Sequence, residues 1–166
     1  MATITLGGNP IQTVGTLPQN GEKLVDFNLV AEDLSVKTNN DFAGKKVVFN
    51  IFPSVDTGTC AASVRRFNEE ASALENTIVV NVSKDLPFAL SRFCAAEGLK
   101  NVVNLSDFRT DFSKQVGVEM VDGPIKGLMS RSIIVVNENN EVVYTEQVPE
   151  IKDEPNYQNV LDVLKK

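Results

Sequence analysis

The sequence contains no histidine, which removes the commonest side chain for proton transfer and metal binding. Ser-His and Cys-His nucleophile pairs and most zinc or iron sites are excluded. Two cysteines remain, Cys60 and Cys94, 34 positions apart and not in Cys-x-x-Cys spacing. Without histidine they cannot complete an ordinary structural zinc site. Any chemistry must use cysteine, threonine, arginine, lysine or carboxylates.

Cys60 closes the stretch Pro53-Ser54-Val55-Asp56-Thr57-Gly58-Thr59-Cys60. Before it, Lys46–Phe52 is an apolar and aromatic run, expected to be a buried strand. After it, Cys60, Val64, Phe67, Ala71 and Leu74 recur at helical spacing, opposite Arg65, Arg66, Asn68, Glu69 and Glu70. The cysteine is thus predicted where a strand ends and a helix begins. Backbone N–H groups and the positive end of the helix dipole meet there and favour an anion, and a thiolate is an anion. A single intracellular cysteine is usually just a small buried hydrophobe. Three neighbours argue for more. Pro53 stops the strand and fixes the backbone. Thr57, three residues earlier on the same side of a first helical turn, can reach the sulfur or something bound to it. Asp56 or Thr57 can cap that turn.

Around these residues the chain alternates strand and helix. Thr3–Leu6 and Ile11–Val14 flank a Gly7-Gly8-Asn9-Pro10 turn and predict a hairpin within residues 1–15. Val25, Phe27 and Leu29 alternate with polar residues as in a half-buried strand, with Ser35–Thr38 as a short partner. Asp41–Lys45 is expected as a turn into the central strand. The Cys60 helix is expected to reach Leu74 or Glu75, and Ile78–Ser83 to form a second buried strand. Strand, helix, strand in this order implies a right-handed crossover between parallel neighbours. Ser83 or Asp85 is placed to cap the next helix, which Pro87 opens, Gly98 stops, and which carries Cys94. Val102–Leu105 predicts a strand, and a short helix follows from Thr110 or Asp111 to Gly117. A loop over Val118–Met129 leads to a hairpin of Ser132–Val136 and Val142–Thr145. Tyr157–Leu164 predicts a closing helix with lysines at its end. The pattern predicts an α/β, thioredoxin-like fold: a central mixed sheet flanked by helices, with an N-terminal β-hairpin extension, as one domain over residues 1–166.

With 166 residues, 42% of them hydrophobic, the chain can build a core that needs no staples. A net charge of −6 with no basic block argues against nucleic acid or an anionic membrane as main partner. No apolar run approaches the ~18 residues of a membrane span. Met1–Leu6 has neither the basic nor the long apolar region of a signal peptide. A cytoplasmic protein is expected, with no cofactor and no metal.

Pro-x-x-x-Thr-x-x-Cys at a strand-to-helix junction resembles the active-site signature of the peroxiredoxins. The longer run from Phe52 to Arg65 is similar to the bacterial thiol peroxidase branch, and the resemblance extends from Gly7-Gly8-Asn9-Pro10 to Val148-Pro149-Glu150-Ile151. It implies the thioredoxin-like fold, a peroxidatic Cys60, and an active site shared with Thr57 and Pro53. Residue types alone do not choose among Arg65, Arg66, Arg92, Arg109 and Arg131. Arg65 and Arg66 can pair with Glu69 and Glu70 at i,i+4 on a solvated face. Met129-Ser130-Arg131-Ser132 matches the head of the strand where the family carries its active-site arginine. Cys94, taken alone an apolar helix residue beside Leu90, occupies the place of the branch's resolving cysteine.

The cycle that the resemblance implies starts with a hydroperoxide oxidising Cys60 to a sulfenic acid. Cys94 condenses with it to an intramolecular disulfide, and thioredoxin resets the pair. A disulfide needs Cα atoms within ~7 Å, so the two helices are expected to hold the cysteines apart until the first turn at Cys60, the Cys94 segment, or both, unwind. The branch favours organic hydroperoxides over hydrogen peroxide and forms homodimers. The phenylalanines and Gly127-Leu128-Met129 are candidates for an apolar rim. Two other classes compete: a dithiol–disulfide electron carrier, against which the missing Cys-x-x-Cys argues, and a binding module with two buried core cysteines. Ionisation alone would not make a catalyst. An ordinary thiol is about 3% ionised at pH 7, so full ionisation gains ~30-fold, whereas enzymatic accelerations start near ~10⁶. Donors aimed at the peroxide oxygens must supply the rest, which is the interest of Thr57 and an arginine.

Overall fold

In the computed structural model, which describes residues 1–71, 73–98 and 102–165, the apolar run before Pro53 is an interior strand of a seven-stranded sheet. Strands β1 (Thr3–Leu6) and β2 (Asn9–Gln12) form a separate hairpin. Strands β3 (Asn28–Ala31), β4 (Val36–Thr38), β5 (Lys46–Ile51), β6 (Thr77–Ser83), β7 (Val102–Ser106), β8 (Ser132–Val136) and β9 (Val142–Gln147) pair in the order β4-β3-β7-β6-β5-β8-β9. β5, β6 and β7 are parallel, and the remaining pairs are antiparallel. Helices α1 (Gly58–Glu70) and α2 (Pro87–Glu97) are the crossovers of the parallel strands, followed by the short α3 (Phe112–Gln115) and by α4 (Tyr157–Leu164). This is the thioredoxin-like mixed sheet with an N-terminal hairpin.

Alternation along β5 serves two cores. Val47, Phe49 and Ile51 face Phe27, Phe112 and Met129, whereas Val48 faces Phe67 of α1 and Val160 of α4. Burial on both faces is why this strand is apolar almost throughout, each such side chain contributing roughly 1.5–3 kcal/mol.

The boundaries depart from expectation where side chains serve backbone groups. The hairpin turn is Gly7-Gly8 alone, at φ +59 and +85, and Pro10 lies in β2, where an edge tolerates its missing N–H. Val25 and Phe27 precede β3: Asn39 accepts from Phe27 N–H (2.9 Å) and donates to Val25 C=O (3.0 Å), replacing ladder bonds. Asn39–Phe42 is a 3₁₀ turn. α1 ends at Glu70, short of Leu74, and Ser72 lies outside the described residues, as does Lys166. Asp111 precedes α3 without capping it. The buried Asp107 accepts from Phe112 N–H (3.3 Å) and Ser113 N–H (3.0 Å) instead.

Candidate active site

The ladder between β5 and β6 closes with Phe52 N–H donating to Val82 C=O at 3.2 Å. Pro53, buried and without an N–H, ends it. The chain then turns back on itself: Thr57 donates both its N–H (3.2 Å) and its hydroxyl (3.1 Å) to Ser54 C=O. Asp85 fastens this turn from outside. Its carboxylate accepts from the Ser54 hydroxyl (2.8 Å), Val55 N–H (2.9 Å) and the Ser83 hydroxyl (2.7 Å). Neither Ser83 nor Asp85 caps α2, whose N-cap residue is Leu86. Because β5 and β6 are parallel, their C-terminal ends lie side by side, and a residue just past one strand reaches the loop past the other. That neighbourhood was the available signal for Asp85; a short polar residue before a helix reads more simply as a cap.

Cys60 is the third residue of α1, fully buried in a cluster with Phe52, Val55, Val64 and Leu90, against which Phe93 packs. Thr57 stands at the N-cap, exposed, and makes no side-chain capping bond. Its hydroxyl proton is engaged by Ser54 and not by the Cys60 sulfur. The first helical bond runs from Ala61 N–H to Thr57 C=O (3.1 Å), so the amides of Gly58, Thr59 and Cys60 precede it at the positive end of the dipole. The Thr59 hydroxyl donates to Lys152 C=O at 2.9 Å.

Arg131 immediately precedes β8, whose Ser132 pairs with Ile51 of β5, so it falls beside the end of the strand that leads to Pro53. It is only 1% exposed, whereas the other four arginines are on the surface. Arg66 pairs with Glu70 (2.8 Å) and covers the Tyr157 ring; Arg65 grips Glu97 of α2, not Glu69; Arg92 lies 3.6 Å from Asp56. Arg131 donates from Nε to Ile151 C=O (2.7 Å), and its buried Nη1 has no partner among the described residues. A guanidinium stays charged, and an open N–H on a buried one is a ready donor for an incoming oxygen. Ile151 and Lys152 are consecutive, so Arg131 and the first turn of α1 hold adjacent carbonyls of one segment. Glu150, just before them, accepts from Lys152, Gly8 and Gly7 N–H and the Thr5 hydroxyl, which pulls its carboxyl down to about 2.

Cys94 lies in α2, also a free thiol and 7% exposed. Asn104 of β7 donates its amide to the Cys94 sulfur at 2.7 Å. Burial pushes this thiol above its ordinary value; the Asn104 bond works against the rise, and Glu32 adds to it. The structure therefore gathers Pro53, Thr57, Cys60 and Arg131 at one end of the sheet and holds Cys94 on the neighbouring helix, with Leu90 and Phe93 of that helix packed toward Cys60. The apolar surround of Cys60 is Phe52, Val55, Leu90 and Phe93. Met129 belongs to the main core and Leu128 packs under the hairpin, so neither forms the rim expected of them.

A cysteine at the first crossover helix of a thioredoxin-like sheet, with a buried arginine just before the adjoining antiparallel strand, is an arrangement suited to thiol-based redox chemistry. The Redoxin family profile matches residues 19–161, and the chain belongs to that family. It is 53% identical over 164 residues to the thiol peroxidase of Corynebacterium glutamicum, a match that covers 99% of each chain. A solved peroxiredoxin-like protein from Aquifex aeolicus superposes with a TM-score of 0.94 at 34% identity, covering 99% of this chain and 96% of the other. The thiol peroxidase from Chromobacterium violaceum shares the fold, with a TM-score of 0.91 at 23% identity over 98% of this chain and 95% of that one.

Proposed function

We propose that this chain is a thiol peroxidase in which Cys60 is the peroxidatic and Cys94 the resolving cysteine. The observation that carries the reading is Arg131, a buried cation with an unpartnered N–H beside the loop that delivers Cys60. In the first step the Cys60 thiolate attacks one peroxide oxygen. An S–O bond forms, the O–O bond breaks, and the leaving alkoxide takes a proton from solvent, replacing the one the thiol released on ionising, to become an alcohol. Arg131, the first-turn amides and the Thr57 hydroxyl, once turned from Ser54, are the donors for the two oxygens. Cys94 then condenses with the sulfenic acid, releasing water, and a dithiol protein of the thioredoxin type reduces the disulfide by two electrons.

The surround of Phe52, Val55, Leu90 and the partly exposed Phe93 supports organic hydroperoxides as preferred substrates. A cytoplasmic homodimer completes the reading; among the described residues no helix is long and apolar enough to cross a membrane. Thiol titration and peptide mapping before and after one equivalent of cumene hydroperoxide test the assignment. Loss of both thiols and appearance of a Cys60–Cys94 linked peptide is the expected result. Unchanged peroxide consumption by Cys60→Ser would overturn it.

A further inference from the structure

Each of the three parallel strands carries one asparagine in an otherwise apolar run, and the register brings them into a single row: Asn50 opposite Asn81, Asn81 opposite Asn104. All three are buried. Their amides are joined head to tail. Asn50 Nδ2 donates to Asn81 Oδ1 (3.0 Å), Asn81 Nδ2 to Asn104 Oδ1 (3.0 Å), and Asn104 Nδ2 to Cys94 Sγ (2.7 Å) and Glu32 Oε2 (3.1 Å). At the other end Asn50 Nδ2 also donates to the Ser63 hydroxyl (3.3 Å), which donates to Cys60 C=O (2.9 Å).

The row has a direction, and Glu32 sets it. A carboxylate only accepts, so Asn104 must turn its NH₂ toward Glu32 and its oxygen toward Asn81, which then orients in the same sense. Aligned amides polarise one another, and the positive end of the row falls on the Cys94 sulfur. The row is open at one end, where the buried Asn50 Oδ1 has no partner among the described residues, and at the other its last acceptors are a carboxylate and a cysteine on a different element. The row sits on central strands, whereas Cys94 sits on a helix that has to release it.

We propose that Asn104, aimed by Glu32 and backed by Asn81 and Asn50, is a positioning residue for the resolving half-reaction: it holds the Cys94 thiol in its buried site and thereby sets the rate of disulfide formation. This rests on Cys60 and Cys94 being the peroxidatic and resolving pair. In the step concerned, Cys60–S–OH and Cys94–SH become Cys60–S–S–Cys94 and water. The S–O and S–H bonds break, the Cys60 sulfur is reduced and the Cys94 sulfur is oxidised. Before the new bond can form, the Asn104–Cys94 hydrogen bond must be given up, so its strength enters the opening equilibrium directly.

The test is rapid mixing of the reduced protein with one equivalent of cumene hydroperoxide. Sulfenate on Cys60 is trapped and disulfide is counted by mass at each time. Asn104→Ala is expected to form the disulfide faster, on the order of 5-fold, the scale of one net hydrogen bond. Its sulfenate should form at the rate of the parent, and excess hydroperoxide should leave less sulfinate on Cys60. Asn104→Ser, which keeps a donor, should fall between. Unchanged or slower disulfide formation in Asn104→Ala would overturn the proposal. Should that variant fail to fold, Glu32→Gln carries the test: a neutral amide no longer fixes the direction of the row, and about 2-fold faster resolution is expected, with no acceleration counting against the proposal. Cys94→Ser separates this from the underlying reading. If it still turns over, the resolving role of Cys94 falls and the proposal with it. If it stops at the sulfenate while Asn104→Ala resolves at the parent rate, only the holding role is lost.

Discussion

Cys60 and Cys94 are both buried, yet their surroundings differ in kind. Cys60 has apolar side chains about it, a helix start beneath it and, beside its loop, an arginine whose Nη1 has no partner among the described residues. Cys94 lies in a helix and is gripped by an amide that belongs to a strand. The first arrangement sets the sulfur at the positive end of a helix dipole, with no competing partner among the described residues. The second gives the sulfur a partner that must be abandoned before it reacts. Difference in partners, more than difference in burial, separates the cysteine proposed to attack from the one proposed to resolve.

The comparison breaks most sharply at the sulfurs. Cys60→Ser should lose peroxide consumption entirely. Cys94→Ser should consume one equivalent, accumulate sulfenic acid and fail to turn over with thioredoxin. Equal loss in both, measured by peroxide consumption and sulfenate trapping, would erase the distinction between the two sites. Next in size, Arg131→Met should slow sulfenate formation by ~10²–10³-fold, the cost of one transition-state donor, as followed in single-turnover mixing. Full recovery of rate at high pH would limit Arg131 to an effect on ionisation. Thr57→Val should lose on the order of 10²-fold, and Thr57→Ser should retain most of the activity. Near-parent rates for Val would leave the hydroxyl as a fastening of the Ser54 turn and nothing more.

Smaller effects fall on stability. Asp85→Ala leaves Val55 N–H and two hydroxyls without their acceptor and should cost about 1–3 kcal/mol in urea unfolding, with sulfenate formation slowed as the Cys60 loop loosens. The two ends of the pH scale sharpen the contrast further. The Cys94 thiol titrates above its ordinary 9.0 in the folded state, so the folded protein binds that proton more tightly than the unfolded chain. Its contribution is complete below pH 9 and is lost as pH rises through the folded value. Cys94→Ala should flatten that alkaline slope. Glu150 has the opposite sign: its stabilisation is present above 4.5 and is lost as pH falls toward about 2. This group faces solvent, so the acid slope removed by Glu150→Gln should be the smallest of these effects.

The elements that position Cys60 were legible because their causes are local. Apolar runs mark β5, β6 and β8, the first of them bounded by Gly44 and Pro53, and a 3.6-residue period marks α1. The partnerships were harder to read. Asp85, just before a helix, has a local explanation as a cap, and only the parallel pairing of β5 and β6 redirects it to the Cys60 loop. Asn50, Asn81 and Asn104 were visible as single polar residues in apolar strands. Register, which decides whether three such residues meet, depends on contacts that no one segment contains. The choice of Arg131 over four other arginines needed the family resemblance, because burial of a cation leaves no mark on its neighbours in sequence.

The segment 150–152 has a consequence for how the molecule comes into being. Its carboxylate cradles the turn at Gly7 and Gly8, and its next two carbonyls receive Arg131 and Thr59. The contact between Thr5 and Glu150 spans 145 positions, nearly the whole chain. Long-range closures of this kind form late, since their loop entropy is lost before any contact returns it. During synthesis Cys60 is therefore made long before the frame around it can close. The first hundred or so residues can hold a strand, a helix and both thiols, but Arg131 cannot be fixed until residue 151 has been added. If Cys60 is the nucleophile proposed above, its chemistry is tied to completion of folding, with the last segment acting as the keystone of the site.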